Sequence, residues 1–189
     1  MKLTSVERIG RSQLISSVGP TFASANEAGP VNTIWFDQTL RDQWPTPVAD
    51  QWSRQYPRLF DADDLRITRE QPDKHFYEWL TAICLFHTLG VLSLGEKYTF
   101  GKAHPRKHEV VKRLLQPDQV EFLLGLPNQP PDLLVYTPRF DRYWFVEVKG
   151  PTDRVRPIQR HTNQAIMQRL GVPVETISVR RATSGPTRS

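Results

Sequence analysis

Two carboxylates and an amine lie at the ends of two short apolar segments in the C-terminal half of this chain. Asp132 begins the segment DLLVY, and the segment YWFVEVK ends with Glu147 and Lys149. Both segments are typical of β-strands, and the residues TPRFDR between them predict a turn. We therefore expect a β-hairpin with charged groups at its open end.

The turn determines which residues face each other across this hairpin. If Tyr136 faces Tyr143, then Asp132 faces Glu147, and directly opposite side chains have Cβ atoms about 4.5 to 5.5 Å apart. Lys149 lies two residues after Glu147 and so shares its face of the sheet. A register shifted by one residue would separate the carboxylates, so the predicted site depends on this pairing.

Metal-assisted hydrolysis of a phosphodiester is the chemistry that these groups predict. Adjacent carboxylates repel each other unless a cation or shared proton lies between them, and Mg²⁺ is usually held by one or two carboxylates, waters and substrate phosphates. Asp132 and Glu147 are therefore candidate ligands of Mg²⁺ or Mn²⁺, and the backbone carbonyl of Val148 is a further candidate. Lys149 is suited to orient or deprotonate a water and to offset charge on a phosphate.

A helix upstream of the hairpin supplies a third acidic group. It is expected to begin at Pro72 and Asp73 and to end at Gly90. Apolar residues occupy nearly every face of this helix, which predicts burial on most sides. Glu78 enters the apolar belt, where a charge needs a partner or a metal.

The remaining segments predict an α/β fold around a small mixed sheet. A strand is expected at Glu96–Phe100, followed by the basic run GKAHPRKHEVVKR with a short helix in its second half. After the hairpin, Asp153 is expected to cap a helix that runs to about Leu170, and VETISV predicts a last strand. The expected inner face of that helix is Val155, Ile158, Ala165 and Ile166.

The motif residues also resemble a known family. PPDLLVY followed by FVEVKGPTDRVRPIQ resembles the PD-(D/E)XK nuclease superfamily, and EVKGPTDR is similar to its VRR-NUC branch. The resemblance implies a restriction-endonuclease-like αβββαβ core over residues 72–180, with helices flanking a small mixed sheet. It also implies that Asp132 and Glu147 are metal ligands and that Lys149 is the catalytic lysine.

Other positions match the family with one departure. By resemblance, Glu78 corresponds to the acidic residue of the first core helix, Gln159 to the glutamine after the motif, and Arg154 to the arginine of the GPxDR turn. The family usually has glycine three residues before the motif aspartate, where this chain has Gln129. The pattern Glu-x-Lys alone is commonly an exposed ion pair. The prediction of a nuclease site therefore depends on the Pro-Asp residues before it and the GPTDR residues after it.

DNA is the partner that charge and resemblance predict together. Residues 139–189 contain 10 Lys and Arg against 4 Asp and Glu, a net charge of +6, whereas the rest of the chain is close to neutral. Arg154, Arg156 and Arg160 follow the motif and are expected to contact DNA phosphates. From charge alone, a solvated basic surface is an equal alternative.

The segments outside the core have no readable chemistry. Residues 1–30 predict a flexible arm, residues 31–71 a Trp- and Pro-rich irregular extension that packs on a body, and residues 181–189 a disordered tail. Docking of a partner protein, an inhibitor or a second copy by the extension remains open. The sequence shows no apolar leader or membrane span, so we expect a cytoplasmic protein, with delivery by a dedicated secretion system left open.

Two functions are therefore in competition. The first is a metal-dependent deoxyribonuclease in repair or restriction, or one used as an antibacterial toxin. The second is a non-catalytic nucleic-acid-binding module that retains the nuclease fold. The complete set of Asp132, Glu147 and Lys149 favours the enzyme.

Overall fold

The computed structural model describes residues 12–16, 19–20, 32–95, 98 and 104–182. The strands are β1 (Ser12–Ser16), β2 (Gly19–Pro20), β3 (Thr33–Phe36), β4 (Leu92–Gly95), β5 (Leu133–Tyr136), β6 (Tyr143–Lys149) and β7 (Val174–Arg181). The helices are α1 (Gln38–Asp42), α2 (Val48–Gln55), α3 (Ala62–Glu70), α4 (Phe76–Leu89), α5 (Pro105–Leu114), α6 (Pro117–Leu124) and α7 (Pro157–Leu170). No helix in these described ranges is both long and apolar enough to cross a membrane.

One mixed sheet organises the described residues. Its strand order is β2-β1-β3-β7-β6-β5-β4. Strands β4, β5 and β6 pair antiparallel, whereas β7 is parallel to both β6 and β3. In chain order α4, β4, β5, β6, α7 and β7 form the αβββαβ core that was predicted, with α5 and α6 inserted between β4 and β5.

Helix α4 crosses the centre of the molecule and is buried on most sides, as its apolar pattern predicts. It ends at Gly90, whose φ of 67° is the left-handed conformation that glycine adopts without a Cβ clash. The predicted start at Pro72 is wrong, because His75 has a φ of 69° and this left-handed residue interrupts helical geometry. The helix begins at Phe76 instead.

The Trp- and Pro-rich extension is built into the body of the protein. Strand β3 lies beside β7, and the loop after α1, helix α2 and the loop before α3 send aromatic rings onto α4. Phe60 stacks on Trp79 with ring centroids 3.7 Å apart, and Trp44 meets Phe76 edge-on at 5.5 Å. Trp44 and Trp52 are buried, so their rings are not presented to a partner.

Helix α7 differs from its prediction at its start. Asp153 does not cap it, because the Asp153 carboxylate accepts a hydrogen bond from Gly150 N–H (3.1 Å) and closes a separate turn. The helix begins at Pro157. Ile158 is 42% exposed, which contradicts its predicted place on the inner face, while Ile166 is buried as expected.

Several predicted segments lie outside the described residues. These include most of the 1–30 arm, apart from β1 and β2, and residues 183–189 of the tail. Of the strand expected at 96–100, only Tyr98 is described, and it lies in a turn. The edge strand next to β5 is β4, which precedes that segment.

Candidate active site

The hairpin has the register on which the predicted site depends. Tyr136 pairs with Tyr143 and Leu133 pairs with Val146, so the next residues along, Asp132 and Glu147, face each other. The six-residue connection is held by a hydrogen bond from Thr137 N–H to the Arg142 carbonyl (3.0 Å). Hydrogen-bonded and non-hydrogen-bonded pairs alternate along the hairpin, which makes 132/147 a non-hydrogen-bonded pair, the kind whose side chains approach most closely.

The strand ladder stops at the site for a local reason. The next pair would join residues 131 and 148 by hydrogen bonds, but Pro131 has no N–H to offer the Val148 carbonyl. Val148 N–H donates instead to Asp132 Oδ2 (2.7 Å), and the Pro131 carbonyl accepts from the Tyr98 hydroxyl (2.8 Å). The Val148 carbonyl points to the same side of the strand as the Val148 N–H, towards β5. It therefore receives no backbone hydrogen bond from β5 and lies beside Asp132.

Glu147 and Lys149 are nearly buried and directly bonded. Glu147 is 4% exposed and Lys149 8% exposed, and Lys149 Nζ lies 2.5 Å from Glu147 Oε1. Gln159, in the first turn of α7, donates from Nε2 to the same Glu147 oxygen (2.5 Å) and accepts from Lys149 Nζ (3.2 Å). Its Oε1 also accepts from Arg156 N–H (3.0 Å), so one amide connects the helix start to the site.

The carboxylates of Asp132, Glu147 and Glu78 repel each other electrostatically. Burial, followed by the charges of Glu147 and Glu78, raises the pKa of Asp132 to about 8, although the Val148 N–H and Lys149 oppose the shift. Burial also raises the pKa of Tyr98 well above its ordinary value, with Asp132 and Glu147 adding to the effect. Negative charge is thus in excess at this end of the hairpin, and a cation there would relieve it.

Glu78 lies close enough to Asp132 for its charge to raise the pKa of that carboxyl. It is half-buried and lines an internal cavity together with His75, Lys107 and Leu133. In the described part of the chain, no three His, Cys, Asp or Glu side chains converge as a metal-binding group. The two acids that face each other across the hairpin are Asp132 and Glu147, and Glu78 lies beside them.

The turn after β6 explains the Gly-Pro-Thr-Asp-Arg sequence. A Cβ added at Gly150 would lie 2.8 Å from the ring of Tyr77, so glycine allows α4 to approach the end of the strand. Arg154, Arg156 and Arg160 are all exposed beyond this turn. The structure thus brings the arginines to the surface next to Gln159.

Sequence reasoning missed two aromatic residues of the site. Tyr98 holds the carbonyl of the residue before Asp132, and Tyr77 packs against Gly150. Neither has a local signal, because each acts through a contact with a distant segment. Gly150 was the one sequence signal, because a glycine at the end of a strand can mark the close approach of another group to the backbone.

One family model matches part of the chain. Residues 104–181 match the family model of the VRR-NUC domain, a segment that includes Asp132, Glu147, Lys149 and Gln159 but not Glu78. Among solved structures, the chain is similar to the crystal structure of paFAN1 bound to 2nt 5'flap DNA with gap, at 22% sequence identity and a TM-score of 0.35. That similarity covers 73% of this chain and 22% of the other. A comparison with curated proteins finds no match.

Proposed function

Because residues 104–181 match the family model of the VRR-NUC domain, we propose that this protein is a Mg²⁺- or Mn²⁺-dependent nuclease that hydrolyses phosphodiester bonds in DNA. The observation that carries the proposal is the register of the hairpin, which brings Asp132 opposite Glu147. The Val148 carbonyl without a ladder donor lies beside them. Glu147 and Val148 are buried and Asp132 is partly buried, and the group is acidic and made of oxygen atoms only.

The donor set fits a hard divalent cation. Asp132 Oδ2 is engaged by Val148 N–H, and both donors to Glu147 reach Oε1. Asp132 Oδ1, Glu147 Oε2 and the Val148 carbonyl therefore face no hydrogen-bond donor among the described residues. Such a set suits Mg²⁺, which takes few protein oxygens and completes its shell with waters and phosphates. When bound, the cation would acidify a water and neutralise charge on the phosphate.

Lys149 is proposed to position the attacking water. An ammonium group has three N–H donors, and two of them are used by Glu147 and Gln159. These bonds hold the side chain in one orientation, which leaves the third donor for a water or a phosphate oxygen. Gln159 acts on the reaction through Glu147 and Lys149 and is a positioning residue in this proposal.

Arg154, Arg156 and Arg160 are proposed to contact DNA phosphates. All three side chains are exposed, and Arg156 precedes the helix that carries Gln159. Arg160 Nη1 also donates to the Val155 carbonyl (3.3 Å), which restrains its orientation. A phosphate bound between these arginines and the carboxylate pair would lie within reach of Lys149.

A cleavage assay tests the proposal. Purified protein is incubated with single strands, duplexes, flaps and four-way junctions in Mg²⁺, Mn²⁺ or chelator, and products are resolved on denaturing gels. We expect cleavage only with metal, and the preferred substrate would distinguish repair, restriction and toxin settings. Binding without metal-dependent cleavage of any substrate would establish the non-catalytic module instead.

Variants of the central pair provide the control. Glu147→Ala and Lys149→Ala are each expected to lower cleavage by at least about 100-fold, because each removes a group that acts on the transition state. DNA binding measured in chelator should change by less than about threefold, since neither residue is proposed to anchor the duplex. Normal cleavage by either variant would contradict the assignment.

A further inference from the structure

A second group of cations lies at the closed tip of the hairpin, away from the carboxylates. Three exposed arginines make up this hairpin-tip cluster: Arg58, Arg113 and Arg139. They come from the loop after α2, the last turn of α5 and the β5–β6 turn. None of them forms an ion pair with a carboxylate in the described ranges. Asp141 is the acid on the turn, and its pKa is lowered mainly by the hydrogen bond from Thr137, with smaller effects of the charges of Arg142 and Arg139.

The β5–β6 turn, which carries Arg139, is held by hydrogen bonds. Phe140 N–H donates to the Thr137 carbonyl (2.9 Å), and the Thr137 hydroxyl bonds to Asp141. Phe140 has a φ of 61°, an unusual conformation for a bulky side chain. In this position its ring lies under the Arg113 guanidinium, 3.7 Å from the ring centroid. The cation–π contact orients Arg113 without neutralising it.

The loop that carries Arg58 is fixed in a similar way. Arg106 donates to the carbonyls of Arg58 (3.1 Å) and Leu59 (2.8 Å), and to Asp61 (2.8 Å). The positive charges of Arg58 and Arg113 both act on the buried hydroxyl of Tyr136 and partly oppose the rise in its pKa that burial causes. The Phe140 ring that lies under Arg113 is also 5.2 Å from the Tyr136 ring, so Arg113 and the hairpin turn meet at one end of β5.

The hairpin tip and the carboxylates lie at opposite ends of strand β5. Asp132 and Tyr136 are four residues apart on one strand and share a face, because side chains alternate. Four residues of strand span about 13 Å, and duplex DNA rises about 3.4 Å per base pair. A duplex with one phosphate at Asp132 and Glu147 would thus bring phosphates about 4 base pairs away to the hairpin tip.

We propose that the hairpin-tip cluster is a second phosphate-binding surface, which holds the DNA duplex about 4 base pairs from the phosphate that is cleaved. The proposal rests on the proposed function for its alignment with the site. Exposed guanidinium groups that form no ion pair are complementary to the sugar–phosphate backbone. The surface contributes affinity and alignment of the duplex, and it takes no part in the chemical step.

Salt-dependent binding tests the surface without requiring cleavage. The variant R58Q/R113Q/R139Q is compared with the wild type by fluorescence anisotropy on a 20-base-pair duplex in chelator, across a range of salt concentrations. Loss of three phosphate contacts should reduce the slope of log K against log salt by about 2 to 3. Affinity near physiological salt should fall about 10- to 100-fold.

A charge-matched variant separates a local effect from net charge. R66Q/R69Q/R169Q removes the same number of charges from exposed arginines that are paired with Glu70, Asp50 and Asp118. In this control the slope of log K against log salt should fall by no more than half as much as it falls in the cluster variant. Equal losses in the two variants, or an unchanged slope in the cluster variant, would overturn the proposal.

Hydrolysis of bis(p-nitrophenyl) phosphate gives an independent readout. This small diester reaches the carboxylates but not the hairpin tip, so the cluster variant should hydrolyse it at the wild-type rate while its KM for duplex DNA rises. A reduced rate on the small diester would overturn the assignment to binding alone. If the wild type cleaves neither substrate, the proposed function fails, whereas the anisotropy result still decides whether the surface binds DNA.

Discussion

Asp132→Asn is expected to make the metal-free protein less sensitive to pH between 5 and 7. In the folded protein the pKa of Asp132 is raised from 3.8 to about 8, so the folded state keeps a proton that the unfolded state has lost. The stability from this group is therefore complete below about pH 4 and is lost as pH rises through about 8. Asparagine cannot ionise, yet its side-chain oxygen can still accept from Val148 N–H.

The size of the effect follows from the width of the pH interval. Each pH unit between the two pKa values costs about 1.4 kcal/mol for one proton. From pH 5 to pH 7 the wild type should lose up to about 3 kcal/mol of unfolding free energy that the variant retains. Urea unfolding followed by tryptophan fluorescence in chelator, at pH 5, 6 and 7, measures this difference directly.

Metal provides the control for the same measurement. Mg²⁺ or Mn²⁺ binds the ionised carboxylate, so saturating metal should restore the wild type at pH 7 and leave Asp132→Asn nearly unchanged. Parallel stability profiles for the two proteins in chelator would refute the reasoning, because they would mean that Asp132 titrates alike in the folded and unfolded states.

Two further predictions concern the packing that supports the site. Gly150→Ala should destabilise the protein by about 1 to 3 kcal/mol, because its Cβ would lie 2.8 Å from the Tyr77 ring; a double-mutant cycle with Tyr77→Leu should show that relief of this contact recovers part of the loss. Lys107→Met should cost about 3 to 5 kcal/mol, because it removes the ammonium that is 2.7 Å from the buried Asp64 carboxylate. Adding Asp64→Asn should recover part of that stability in thermal or urea unfolding, and additive losses would contradict the paired arrangement.

The sequence alone determined the parts of this protein that depend on local rules. A hairpin was the simplest connection across the six-residue turn; the pairing of Tyr136 with Tyr143 was assumed from the sequence, and the structure has it, which brings Asp132 opposite Glu147. Helix α4 ends at Gly90 because a left-handed residue is needed there. These features follow from side-chain periodicity and turn geometry, which neighbouring residues specify without the rest of the chain.

Sequence rules failed where the same residues made a different contact, either within a nearby turn or with a remote segment. Asp153 has the residue type of a helix cap, yet Gly150 N–H takes its carboxylate. The irregular extension became a strand beside β7 and an aromatic layer on α4, since these positions bury its rings. Such pairings between remote segments leave no periodic trace in the sequence.

Only the tertiary structure decided the electrostatics of the site and the surface at the hairpin tip. The pKa of Asp132 depends on burial and on two acids from β6 and α4. The hairpin-tip cluster combines residues 58, 113 and 139. Because these residues are far apart in the sequence, the sequence gives no sign that they lie close together. Charge–charge interactions depend on distance in space and on exclusion of water, and both are set when the elements pack.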